Sequence, residues 1–251
     1  MSLLGLIIFW SFIGSVASFL GALALVGREK PFTHAQTLLI ISFAAGVLLS
    51  AVFFDLLPEA AQHAGGVAWG AVLAGIVFLF LSEKTLFWFH HHEEEYEGGE
   101  ETPLLITIGD TIHNFIDGVA IAAAFMVAVP AGIVTALAVA AHEIPHEIAD
   151  FGLLLSKGWS RTKTIAVNIG SAASSLLGAV LLYAMGDRVE MWLPHLMSFA
   201  AGMFVYLACS DLIPELHHCH GEECELKNSW WQIPVFLLGI VIVWGLVRVL
   251  E

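Results

Sequence analysis

The chain sustains an apolar run near the ~20 residues that a membrane span requires, and does so eight times. The runs cover residues 3–26, 35–57, 67–89, 103–129, 131–155, 163–186, 194–216 and 231–250. In hydrocarbon every backbone amide and carbonyl must bond within the protein, so runs of this length are read as helices. The expected fold is all-α, a polytopic membrane protein of eight transmembrane helices forming one domain over 1–251. Composition agrees: 58% hydrophobic residues, 13% charged and a mean hydropathy of +0.84 exclude a soluble globular domain. The first run has no basic residue before it and outlasts a signal-peptide core, so it reads as a retained span.

Charge sets the orientation. With eight spans both termini lie on one side of the membrane. The loops after spans 1, 3, 5 and 7 hold Arg28, Lys30, Lys157, Arg161, Lys163 and Lys227, with Lys84 near that end of span 3. Only Arg188 and Arg248 lie on the opposite side. The positive-inside rule makes the first set cytoplasmic and both termini external, and the expected location is the plasma (inner) membrane. The formal charge of −14 is concentrated in one linker and in span carboxylates, which excludes nucleic acid as a partner. Three cysteines, Cys209, Cys219 and Cys224, are too few for a disulfide framework.

Two stretches repeat at a constant offset of 156: Ser42–Gly46 with Asp55–Glu59, and Ser198–Gly202 with Asp211–Glu215. They belong to spans 2 and 7, which cross in opposite directions. The expectation is an inverted repeat of spans 1–3 and 6–8 around spans 4–5, an architecture that places a transporter's substrate site at the repeat interface.

Spans 4 and 5 carry the chemistry. His142, Glu143, His146, Glu147 and Asp150 put five ionisable side chains into nine residues of span 5. Such groups are costly in hydrocarbon unless they face a cavity, a metal or each other. Span 4 carries Asp110, His113, Asn114 and Asp117, at spacings of three, four and seven that gather them on one helical face. The two spans are joined only around Pro130, with Asp117 thirteen residues before it and Glu143 thirteen after. At ~1.5 Å per residue both lie roughly 20 Å from the turn, at one depth near the bilayer midplane. Imidazole nitrogens beside carboxylate oxygens suit a borderline divalent metal such as zinc or ferrous iron. Pro145 frees the carbonyl of Ala141 next to them.

Two functions compete for this pattern. His142-Glu143-x-x-His146 matches HExxH, in which two histidines hold zinc and the glutamate is a general base, so an intramembrane zinc metalloprotease is one reading. Against it, Pro145 lies between the histidines, and the donors outnumber the three protein ligands of a catalytic zinc site. They continue along span 5 through Glu147 and Asp150, as a permeant ion requires, so transport is favoured.

The motifs HNFIDG (His113 to Gly118) and HEIPHEIAD (His142 to Asp150) resemble the ZIP (Zrt/Irt-like) family of divalent metal transporters. They are closest to its subfamily with His-Glu-x-Pro-His-Glu in the fifth span. The resemblance covers nearly the whole chain. It implies a central site able to hold two metal ions, with ligands His113, Asn114 and Asp117 from span 4. Span 5 would supply His142, Glu143 and His146, with Glu147 adjoining. It also implies alternating access by movement of spans 1, 4, 5 and 6 relative to the others. Many relatives have Glu at the position of Asp117, and some carry a carboxylate early in span 6, where this chain offers Asn168 and Ser171.

The expected activity is transport of divalent cations toward the cytoplasm, zinc foremost, with iron, manganese and cadmium as alternatives, and no enzymatic function. No prosthetic group is expected. The expected partners are the transported ions and the lipid bilayer, with a homodimer as a candidate assembly. The loop at 90–101, His90-His91-His92 followed by Glu93 to Glu101, reads either as a weak metal-collecting strip or as a solvated acidic linker. His217 to Cys224 is richer in soft ligands and favours transient metal contact. Asp55, Glu59, Asp211 and Glu215 end the repeated helices, as stations on the path or as interfacial residues.

Overall fold

The computed structural model describes residues 1–17, 19, 34–64, 66–93, 101–217 and 226–250. Within them the backbone is helical almost throughout, with no strand. Helix α1 comprises Leu3–Ser11 and a π-helical continuation, Phe12–Ala17. Helix α2 runs His34–Ala51, then a π segment Val52–Leu56, then Leu57–Ala64. The next four are α3 (Trp69–Glu93), α4 (Glu101–Val127), α5 (Val129–Ser156) and α6 (Arg161–Met185). Helix α7 comprises Leu193–Tyr206, the π segment Leu207–Leu212 and Ile213–His217, and α8 is Leu226–Leu250.

Among the described residues five helical stretches are long and apolar enough to cross a membrane: Gln36–Ala64, Thr107–Val127, Arg161–Arg188, Glu190–His217 and Trp230–Leu250. Leu3–Val16 is apolar but shorter, and the second half of the expected first span lies outside the described residues. Helices α3 and α5 are not among the five. In α5 the reason is legible: its second half holds the His/Glu/Asp pattern, which lowers the hydropathy of a helix that is apolar before it.

Two expected boundaries shift. Helix α3 continues to Glu93 and α4 begins at Glu101, so the loop at 90–101 narrows from both ends. Glutamate is a good helix former, and the sequence has no breaker before Gly98-Gly99. Residues 94–100 and 218–225 lie outside the described residues, and with them most of both His-rich segments, including Cys219 and Cys224. Lys227 belongs to the first turn of α8 rather than to the preceding loop.

Helix α5 lies at the centre, packed against α1, α2 and α4. Its first half contributes Ala131, Val134, Ala136, Ala138 and Val139 to the core. Helices α3 and α8 lie at the periphery and expose large apolar side chains, among them Leu73, Val77, Phe80, Leu237, Val241 and Trp244. That is what a lipid-facing helix presents, because hydrocarbon outside makes no demand for polar groups there.

Three helix pairs approach so closely that backbone meets backbone. Helix α2 packs on α8, α3 on α7 and α4 on α6. A β-carbon added at Gly46 would strike the carbonyl of Phe236, and one at Gly239 the carbonyl of Phe43. Gly202 meets the carbonyl of Val72 in the same way, and Gly75 that of Phe199. Gly118 and Gly178 face Ser175 and Phe115 across the α4–α6 contact. Between lipid-embedded helices the association comes from such close packing, since the apolar solvent supplies no hydrophobic drive.

The π segments of α2 and α7 each end two residues before a proline, Pro58 and Pro214. Proline removes the amide that would close an α turn, and its ring crowds the carbonyl four residues back. A wider π turn accommodates both effects. Asp55 and Asp211 lie within these turns.

Candidate metal centre

Helices α4 and α5 form the predicted hairpin. A single extended residue, Ala128, separates them, and Pro130 sits in the first turn of α5, where its missing amide costs nothing. The hairpin sets Asp117 directly against His142. Helix α5 remains α-helical through Pro145.

Four side chains converge. His142 Nε2 lies 3.2 Å from Asp117 Oδ2 and 3.3 Å from His113 Nε2. His113 Nε2 lies 3.6 Å from Asp117 Oδ2 and 3.7 Å from Glu143 Oε1, and His142 Nε2 is also 3.7 Å from Glu143 Oε1. One donor atom from each of the four residues falls within 4.8 Å of the others. A tetrahedron with metal–ligand bonds of ~2.0–2.1 Å has edges of about 3.3 Å, so this spacing approaches the one four ligands of a zinc ion adopt.

The tautomer of His142 supports the same chemistry. Its Nδ1 lies 3.0 Å from the carbonyl of Ala138, one turn back on α5. A carbonyl only accepts, so Nδ1–H donates to it, and in the neutral ring Nε2 presents its lone pair to the cluster. A lone pair facing Asp117 Oδ2 at 3.2 Å calls for a cation between them.

Burial sharpens that requirement. Asp117, His142 and Glu143 are fully buried, and His113 is partly buried. Neither oxygen of Glu143 has a hydrogen-bond partner, nor does Asp117 Oδ1. Among the described residues no lysine or arginine pairs with either carboxylate. Two uncompensated carboxylates inside a helical bundle are strongly unfavourable, and a bound divalent cation removes the penalty. The ring of Phe204 on α7 closes one side, 5.6 Å from His142 centroid to centroid.

The remaining predicted residues surround this group without joining it. The ring of His146 lies 5.8 Å from that of His113 and 6.0 Å from that of His142, with Nε2 unbonded. Asn114 is fully buried; its Nδ2 donates to Asp110 Oδ1 at 2.9 Å, and its Oδ1 has no partner. Asp110 is thereby held one turn from the cluster on α4. Glu147 is buried with both oxygens unbonded, and Asp150, half-buried, follows one turn on along α5.

Helix α6 adds a feature beyond Asn168 and Ser171. Thr164, Asn168, Ser171 and Ser175 are all buried, each with a polar atom lacking a partner. Their spacings of four, three and four trace one helical face and were readable in the sequence. Ser174 on the same helix donates to the carbonyl of Thr111 at 2.8 Å, tying α6 to α4.

Comparison with known proteins agrees with this chemistry. Residues 90–246 match the family described as ZIP Zinc transporter. Zinc transporter ZIP10 of Danio rerio is 40% identical over 127 residues, 49% of this chain and 15% of that protein. Zinc transporter ZIP4 of Mus musculus is 40% identical over 116 residues, 45% of this chain and 17% of that protein. Zinc transporter ZIP13 of Pongo abelii is 31% identical over 220 residues, 81% of this chain and 64% of that protein. The chain thus spans a small part of the first two relatives and about two thirds of the third. The family match takes in α4, α5 and every residue of the four-donor cluster, and it extends over more than half of the sequence. This helical, membrane-integral protein belongs to the ZIP zinc transporter family.

Proposed function

We propose that the protein carries divalent metal cations, zinc foremost, across the membrane toward the cytoplasm through the α4–α5 site. The observation that carries this reading is the set of His113, Asp117, His142 and Glu143, largely buried, spaced for one tetrahedral ion and, among the described residues, without a lysine or arginine partner. Two nitrogens and two oxygens suit zinc and leave iron, manganese and cadmium as alternative cargo. Glu147 and Asp150 continue along α5 and supply successive carboxylates for an ion that must also leave. His146 Nε2, Asn114 Oδ1 and Glu147 form the basis of a second, adjoining ion position. Helix α6 offers buried Asn168 and Ser171 rather than a carboxylate, and neutral groups there would make this position hold a cation more weakly than the first.

The architecture proposed with this function has eight spans, an inverted repeat and both termini external to the cytoplasm at the plasma membrane. Support for the repeat comes from the glycine contacts. Gly46 and Gly202 are 156 residues apart, as are Phe43 and Phe199, and each pair makes equivalent contacts with a partner helix. On those partner helices Gly75 and Gly239 correspond, as do Val72 and Phe236. The π turns around Asp55 and Asp211 keep the same offset. A homodimer is the proposed assembly.

The protease reading is disfavoured on geometry. HExxH chemistry needs His142 and His146 on one metal with Glu143 free to act as base. His142 instead pairs with His113, and Glu143 brings an oxygen into the same group. The test is reconstitution in liposomes with influx of zinc, cadmium, iron and manganese measured for wild type, His142→Ala and Asp117→Ala. Zinc influx by wild type, lost in both variants, is expected. No influx, together with Glu143-dependent cleavage of a membrane substrate, overturns the reading.

A further inference from the structure

The two halves of the repeat differ at one polar contact. Ser50 on α2 and Tyr206 on α7 occupy equivalent positions, 156 residues apart. Ser50 Oγ donates to the carbonyl of Ile240 on α8 at 3.0 Å, a backbone tie of the ordinary intramembrane kind. Tyr206 Oη donates instead to Glu83 Oε2 on α3 at 2.7 Å. By the α3–α8 correspondence that aligns Gly75 with Gly239, the counterpart of Glu83 is Val247, a buried core residue. Architecture alone is therefore satisfied without a carboxylate or a phenol at this level, and the Tyr206–Glu83 pair is an addition made at one end of the bundle only.

Its position bears on the ion's route. Helix α3, which carries Glu83, also packs on α4, the helix that carries His113, and Asp211 follows Tyr206 by five residues in the π turn of α7. The side of the membrane is the one the charge distribution assigns to the cytoplasm, with Lys84 adjacent to Glu83. A phenol donor to one oxygen of a half-buried carboxylate fixes its rotamer and leaves the other oxygen directed elsewhere.

We propose that Tyr206 is a positioning residue for metal release: it orients Glu83 so that the free carboxylate oxygen receives the cation leaving the His113 cluster. The inference rests on the transport reading above. Losing the Tyr206 hydroxyl slows the exit step while leaving binding at the central site unaltered, because no atom of Tyr206 belongs to that site.

The test uses the full chain in liposomes loaded with a zinc-sensitive dye and compares wild type, Tyr206→Phe, Glu83→Gln and the double variant. Phenylalanine retains the ring that packs 6.4 Å from Phe80, so folding is preserved, and a melting curve checks it. The expected result is a maximal rate about tenfold lower in Tyr206→Phe, the scale of a hydrogen bond to a charged group. Its KM for zinc and its equilibrium zinc binding in detergent stay unchanged. The double variant is no slower than Glu83→Gln, since both substitutions remove one device. A Tyr206→Phe rate equal to wild type overturns the inference, as do additive losses in the double variant or zinc binding that weakens in step with rate. A wild type that moves no zinc removes the transport reading and this inference together; a transporting wild type with an unaffected Tyr206→Phe removes this inference alone.

Discussion

His142 Nε2 stands 3.2 Å from Asp117 Oδ2, across the α4–α5 hairpin, while its Nδ1 is committed to the carbonyl of Ala138. That pairing turns a histidine on one helix and an aspartate on another into half of a tetrahedral donor set. It also leaves negative charge buried between them until a cation arrives.

Replacing one of those carboxylates separates binding from folding. Asp117→Asn keeps the shape and removes a buried charge, so the metal-free protein should melt higher than wild type. Its zinc affinity should fall by more than the ~10–100-fold typical of an outer-shell change. Differential scanning fluorimetry with and without zinc checks both, and a lower metal-free melting temperature would count against uncompensated charge at the site.

Zinc should stabilise the wild type. A ligand held only by the folded state at a hundredfold excess over Kd contributes about 2.7 kcal/mol. For a chain of this size that corresponds to a rise of roughly 5–10 °C, reversed by a chelator. His142→Ala should lose the rise. An identical shift in that variant would place zinc elsewhere on the protein.

Acid should weaken binding. A protonated imidazole has no lone pair to give a metal, so His113 and His142 must be neutral to ligate. Zinc affinity is therefore highest at neutral to alkaline pH and declines as pH falls, with protons released on binding. Calorimetry in buffers of different ionisation enthalpy measures that release, and a net uptake of protons would contradict the donor set.

The glycine contacts predict a symmetric sensitivity. Gly46→Val and Gly202→Val each drive a side chain into a backbone carbonyl, which cannot rotate away, and each should cost about 3 kcal/mol or more. Gly245, whose added β-carbon would meet nothing within 4 Å, should accept alanine without loss. Melting curves in detergent compare the three. Tolerance at one member of the pair and not the other would argue against equivalent packing in the two halves.

Much of this protein is legible in its sequence. Apolar runs of span length dictate helices because hydrocarbon offers backbone groups no other partner. Periodicity placed His113 with Asp117 and His142 with His146 on helical faces, and counting from Pro130 matched the depth of Asp117 and Glu143. Only the tertiary structure decided which donors share an ion. His142 meets His113 rather than its own helix neighbour His146, because the rotation of α5 about its axis is set by packing against α1, α2 and α4. The same packing brought Tyr206 to Glu83, 123 residues away in sequence, a contact that no local pattern announces. Spacing along a chain determines what a helix presents; which neighbour receives it depends on close contacts such as those at Gly46, Gly118 and Gly202, which only the assembled bundle makes.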